Sequence, residues 1–186
     1  MKARNLQIIA KEIEQFSQLI SQEEINQFVK EIVQAKRIFV NGAGRSGFAA
    51  RAFSNRLMHL GLHVYYVGEP TTPSIQDGDL LVVGSGSGTT ASLVSNVKTA
   101  KAQGAHVATL TIYPEATIGS MADAIIAIPG ATPKNIAFED PITSKQPMGN
   151  LFEQLSWLTY DSIIMELMPI LHQTAEEMFK RHANME

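Results

Sequence analysis

Twice in this chain a short apolar run breaks into glycines and then opens into a helical pattern, and this repeated punctuation limits the fold more than any other feature. The first unit is Arg37-Ile38-Phe39-Val40, then Asn41-Gly42-Ala43-Gly44-Arg45-Ser46-Gly47, then a helix expected from Phe48 to about Leu60. The second is Asp79-Leu80-Leu81-Val82-Val83, then Gly84-Ser85-Gly86-Ser87-Gly88-Thr89-Thr90, then a helix expected from about Thr90 to Ala102. Glycines let backbone approach an anion closely, while hydroxyls and the amides of a helix N-terminus supply donors, so the second loop reads as a phosphate cradle. No lysine follows its glycines as in a nucleotide-triphosphate P-loop, so neutral donors would grip the ligand, which suits a sugar phosphate. The alternative, a flexible Gly/Ser connector, fits poorly between an apolar strand and a helical pattern.

The rest of the chain repeats the alternation. Leu6, Ile9, Ile13, Phe16, Leu19 and Ile20 recur at helical spacing, predicting an amphipathic helix from about residue 5 to residue 20. Ser21-Gln22-Glu23-Glu24 has the form of a capping box and starts a second helix that turns Ile25, Phe28, Val29, Ile32 and Val33 inward. Further strands are expected at 63–67, 106–110 and 124–128, with Gly104 as a left-handed helix cap and a short helix at 118–122. Strands alternating with helices predict a parallel sheet covered on both faces, with a ligand at the carboxyl ends of the strands, where both glycine-rich loops lie. Residues 131–147, broken by Pro133, Pro141 and Pro147, are expected to form a loop over that edge. A long helical pattern follows Gly149, is interrupted by Pro169, and gives way to a last helix ending near Arg181.

Composition excludes several classes. Fifteen basic residues against eighteen acidic give a formal charge of −3 with no basic block, which disfavours nucleic acid as a partner. The absence of cysteine removes disulfides, thiolate nucleophiles and cysteine metal sites. Charges at Lys11 and Glu12 interrupt the first apolar run too early for a signal peptide, and no run is long enough for a bilayer, so a soluble cytoplasmic protein is expected.

Gly42, Gly44 and Gly47 also match the dinucleotide pattern G-x-G-x-x-G, with Glu69 after the next strand where a ribose-binding acid would sit. A dinucleotide site does not need the second, hydroxyl-rich loop, and Arg45 suits a substrate anion or hydroxyl. The three glycines also serve a tight strand-to-helix turn with no ligand at all.

Several separate segments, in order, closely resemble the 6-phospho-3-hexuloisomerases of the sugar-isomerase (SIS) domain family. They are Gly42-Ala43-Gly44-Arg45-Ser46-Gly47 with Arg56-Leu57-Met58-His59-Leu60-Gly61, then Ser85-Gly86-Ser87-Gly88-Thr89-Thr90, Gln146-Pro147-Met148-Gly149-Asn150-Leu151-Phe152-Glu153-Gln154 and Met178-Phe179-Lys180-Arg181-His182-Ala183-Asn184. Only Lys134 to Lys145 has no counterpart. The resemblance implies an α/β three-layer sandwich, a five-stranded parallel sheet flanked by helices of flavodoxin-like or Rossmann-like type. It divides the chain into an N-terminal helical segment (1–28), the SIS domain (29–172) and a C-terminal helical tail (173–186). It implies interconversion of D-arabino-hex-3-ulose 6-phosphate and fructose 6-phosphate in the formaldehyde-fixing ribulose monophosphate pathway. No cofactor or metal is implied, and a homotetramer with sites near subunit interfaces is.

Moving a carbonyl from C3 to C2 requires removal of the C2 proton, an enediolate, and return of a proton at C3. Glu153, which matches the family's glutamate in its Phe-Glu-Gln motif, is the expected base. Desolvation there would raise its pKa and the helix dipole would lower it; as a purely structural residue it is simply a glutamate favoured by that dipole. A 3-ketose phosphorylated at O6 cannot close a five- or six-membered ring, whereas fructose 6-phosphate is mostly cyclic, so the reverse reaction needs an acid for ring opening. His59 is the candidate, with His182 its rival, although a histidine on such a helix is more often a packed or interfacial residue; His63, His106 and His172 read as structural. Ser85, Ser87 and Thr90, with amides through Gly86, Gly88 and Thr89, are expected to hold the phosphate, and Ser46 and Arg45 the substrate's hydroxyls or carbonyl. The alternatives on the same fold are an aldose-ketose phosphosugar isomerase and a non-catalytic sugar-phosphate sensor.

Overall fold

The computed structural model describes residues 3–134 and 138–185; the ends of the helical segment and tail and the middle of the 131–147 loop lie outside the described residues. In chain order the elements are α1 (Arg4–Ser17), α2 (Gln22–Gln34), β1 (Ile38–Gly42), α3 (Gly44–His59), β2 (Val64–Tyr66), β3 (Leu80–Gly84), α4 (Ala91–Ala102), β4 (His106–Thr111), a 3-10 turn (Gly119–Met121), β5 (Ala124–Ala127), α5 (Asn150–Ile170) and α6 (Ala175–Phe179). All four strand pairings are parallel, in the order β2-β1-β3-β4-β5. Parallel strands buried on both sides must be apolar throughout, and β3 is buried at all five positions.

Alternate residues of the strands feed two separate cores. Ile38, Val40, Leu80, Val82, Ala108 and Leu110 point to the side covered by α2, α3 and α5. Phe39, Leu81, Val83 and Val107 point to the other, where α4 supplies Leu93, Val97 and Ala100. On the larger side α3 lies close on α5 through Ala49 and Ala50, and Phe53 stacks on Tyr160 with ring centroids 4.4 Å apart. No helix among the described residues is long and apolar enough to cross a membrane.

Several elements differ in detail from the periodicity. Helix α3 begins at Gly44, so the first glycine-rich loop is already the helix's first turn. Helix α5 continues one residue past Pro169, because the proline stands in the last turn and the helix ends at Ile170 with Leu171 as its cap. Ser21 caps α2 by accepting the Glu24 amide at 3.4 Å, but the Glu24 carboxylate does not complete a reciprocal box. It reaches instead across to the Ala127 amide of β5, at 2.9 Å.

The turn from β1 into α3 depends on one close approach. A Cβ at Gly47 would stand 2.7 Å from the Gly42 carbonyl oxygen, so helix and strand can pack this tightly only with hydrogen at that position. We expect Gly47→Ala to lower stability by about 1–3 kcal/mol in urea unfolding, through displacement of α3 from β1.

Candidate functional site

Between β1 and β3 the strand order reverses: the chain runs from β1 outward to β2, then returns to β3 and proceeds through β4 to β5. Loops leaving the carboxyl ends of β1 and β3 therefore diverge and leave a crevice, the usual ligand position in a doubly wound sheet. A cleft of about 300 Å³ occupies it, with Arg45 and Ser46 from the first loop and Ser85, Gly86, Ser87 and Thr90 from the second. Phe152 and Ile112 form apolar wall, Thr132 to Lys134 and Met148 form the rim, and Asn150 and Glu153 enter from the first turn of α5. The 131–147 segment thus contributes to the cleft through its described beginning. Tyr113 ties down its later part by donating a hydrogen bond from its hydroxyl to Asp140.

The second loop leaves donors unused. The Ser85 amide donates to Leu110, the Gly88 amide to the Ser85 carbonyl and the Thr89 amide to Ser87 Oγ. The amides of Gly86, Ser87 and Thr90 make no hydrogen bond among the described residues, and Ser85 Oγ is buried with no partner. Buried polar groups are normally satisfied, so an orphaned hydroxyl beside free amides at the start of α4 describes a seat for an anion. Gly88 and Thr89 do not line the cleft. Gly88 instead holds a left-handed turn (φ +63°) with its α-carbon so near Ala116 that a Cβ would meet that side chain at 2.7 Å.

The other wall carries opposite charges. Arg45 Nη1 lies 3.1 Å from Glu153 Oε2 and also donates to Asn150 Oδ1. Arg45 is largely exposed, so the pair contributes little stability; its effect is to fix where the carboxylate sits. Glu153 Oε2 is buried and accepts no hydrogen bond from a donor of suitable geometry. A second cavity, of about 330 Å³ and lined by Ile13, Phe48, Ala49, Gln154, Trp157 and Leu158, shares Arg45 and Glu153 with the first.

His59 is not in this cleft. It ends α3, whose N-terminus carries Arg45, so at 1.5 Å per residue it lies roughly 20 Å away. There it is buried, stacks on His182 with ring centroids 5.4 Å apart, and has Arg56 Nη1 3.3 Å from its Nδ1. Burial, reinforced by the charges of Arg56 and His182, pushes its pKa below the ordinary histidine value. Arg181 in the tail donates to the His59 carbonyl oxygen at 3.0 Å. Glu69, the residue of the dinucleotide reading, pairs with Arg51 at 2.8 Å and does not line the cleft. Sequence reasoning missed Asn150, Phe152 and Lys134 as lining residues. The first two lay inside the Gln146–Gln154 segment, whereas Lys134 carried no periodic signal.

The SIS domain family matches residues 31–151, which contain both glycine-rich loops and the first residues of α5. The chain belongs to the SIS domain family. A relative in Bacillus subtilis (strain 168) named 3-hexulose-6-phosphate isomerase is 44% identical over 96% of this SIS chain and 95% of its own length. One of the same name in Mycobacterium gastri is 39% identical over 98% and 90%. Among solved structures, a Methanococcus jannaschii protein inferred to be a 3-hexulose-6-phosphate isomerase superposes with a TM-score of 0.81 at 32% identity, covering 99% of this chain and 100% of its own.

Two measurements examine the site. Ser85→Ala removes a hydroxyl that has no partner in the free protein, so stability should be unchanged in urea unfolding, while the dissociation constant for inorganic phosphate rises about tenfold or more. His59 releases its proton more readily folded than unfolded. Its contribution to stability is therefore complete above the unfolded value near 6.5 and is lost as pH falls from there toward the depressed folded value. Unfolding free energies measured between about pH 7.5 and 5.5 should fall less steeply in His59→Gln than in the natural protein.

Proposed function

We propose that this chain is a 6-phospho-3-hexuloisomerase, interconverting D-arabino-hex-3-ulose 6-phosphate and fructose 6-phosphate. The observation that carries the reading is the 44% identical relative in Bacillus subtilis named 3-hexulose-6-phosphate isomerase, matched over 95% of its length. Support from the site is chemical: an anion seat of neutral donors lies opposite an unprotected carboxylate held beside a guanidinium.

In this reading the phosphate rests on Ser85, Ser87 and Thr90 with the amides of Gly86, Ser87 and Thr90, at the N-terminus of α4. Gly88 shapes the loop, and Thr89 closes it onto Ser87. Glu153 takes the C2 proton; the electrons of the C–H bond form the C2–C3 double bond as the C3 carbonyl becomes an oxyanion. Arg45, aided by Asn150 and the Ser46 hydroxyl, stabilises that charge. Proton transfer from O2 to O3 and delivery of a proton to C3 then leave the carbonyl at C2. Phe152 and Ile112 lower the dielectric around these charges, which strengthens each of them.

The reading includes a cytoplasmic homotetramer serving formaldehyde fixation through the ribulose monophosphate pathway. Exposed Phe48, Trp157 and Leu158 support assembly, since with Ile13 of α1 they form apolar surface on α1, α3 and α5 beside the cleft. His59 is too remote from its own chain's cleft to act there.

The test is isomerisation of fructose 6-phosphate in deuterium oxide, followed by NMR. The natural protein should form the 3-ketose and exchange the C3 proton, and Glu153→Gln should lose both by about a thousandfold while still binding the sugar phosphate. A natural protein that binds fructose 6-phosphate but neither exchanges nor converts it is a sensor, and the isomerase reading falls.

A further inference from the structure

Glu12, a charged residue within the amphipathic helix α1, is only 7% exposed. Its carboxylate takes no ion-pair partner within reach among the described residues and is held by three neutral donors from one short segment. The Lys145 amide donates to Oε1 at 2.7 Å, and Ser144 Oγ and Gln146 Nε2 donate to Oε2 at 2.8 and 3.1 Å. Burial by itself pushes the Glu12 carboxyl up, but these hydrogen bonds, with the charge of Lys145, outweigh it and hold the pKa below the ordinary glutamate value. The anion is thus the form the segment is built around, and a buried charge without its donors is costly.

Two residues past this anchor the backbone is strained. Met148 has φ +56°, a left-handed conformation that costs a long L side chain free energy and persists only where its surroundings impose it. The constraint upstream is the Glu12 anchor. Downstream, the Asn150 amide donates to the Pro147 carbonyl, the Glu153 amide to the Gly149 carbonyl, and Arg45 holds Asn150. Residues 147–149 therefore form a closed turn between the residues anchored to α1 and the first turn of α5, the turn that carries Glu153.

We propose that Glu12 is a positioning residue for the isomerase reaction: by anchoring residues 144–146 to α1 it holds Met148 in its left-handed turn and so fixes the first turn of α5, with Glu153 beside Arg45. The inference rests on the isomerase reading above. Without the anchor Met148 relaxes, the start of α5 frays, and Glu153 loses its place against the substrate. The phosphate seat is built from the β3–α4 loop and does not depend on it.

The experiment compares Glu12→Gln with the natural protein at a temperature where circular dichroism shows both fully folded. The amide keeps the size of the side chain but replaces one acceptor oxygen with a donor facing donors. Expected is a fall in kcat and in proton exchange of about ten- to a hundredfold, with inorganic phosphate affinity unchanged within about threefold. Gln146→Ala, which cuts the same anchor from the loop side, should lower kcat in the same sense, and the double variant should fall well short of the product of the two losses. Should Glu12→Gln fail to fold, Gln146→Ala alone decides by the same split between kcat and phosphate affinity. A folded variant with kcat within twofold of the natural protein, or with kcat and phosphate affinity falling together, overturns the inference while a natural protein active on fructose 6-phosphate keeps the isomerase reading intact. A natural protein inert on that substrate overturns both.

Discussion

Two neighbouring parallel strands whose chains leave in opposite directions create the cleft. β1 and β3 pair along five residues, from Ile38 opposite Leu80 to Gly42 opposite Gly84, so their glycine-rich exits emerge side by side. Hydrogen bonding holds the strands together up to that edge. The close contact between Gly42 and Gly47 then keeps α3 tight on the sheet, which sets Arg45 across from the Ser85–Thr90 loop.

The two walls divide the electrostatic work. On the side of β3 there are only hydroxyls, amides and the N-terminal end of α4, a set that attracts an anion with fixed dipoles and no competing carboxylate. On the side of α5 a carboxylate and a guanidinium face each other at 3.1 Å. In the isomerase reading, a phosphate seated on the first set leaves Arg45 beside Glu153, available for charge that develops on the substrate.

Much of the fold was legible because its signals are local. Apolar runs of four or five residues, turn glycines and helical periodicity mark every strand and nearly every helix to within a few residues, and the two glycine-rich loops that line the cleft stand out in the sequence. Strand order was not legible from periodicity alone, since it depends on which crossovers pack, yet it is what brings the two loops together. His59 shows a different limit: motif proximity suggested chemistry, whereas the rise of a 16-residue helix carries it to the opposite end of α3. The burial of Glu12, and the diversion of Glu24 from its capping box, were not legible because the partners responsible are more than a hundred residues away in sequence.

The redirected Glu24 side chain bears on how copies of this chain can meet. β5 is the last strand of the sheet, and because the Ile128 amide turns inward to Thr111, the Ala127 amide faces outward, where an added strand would bind. Glu24 already occupies that donor with a carboxylate, which offers an incoming strand neither a free N–H nor a neutral surface. Growth of the sheet from one molecule into the next is thereby discouraged at this border.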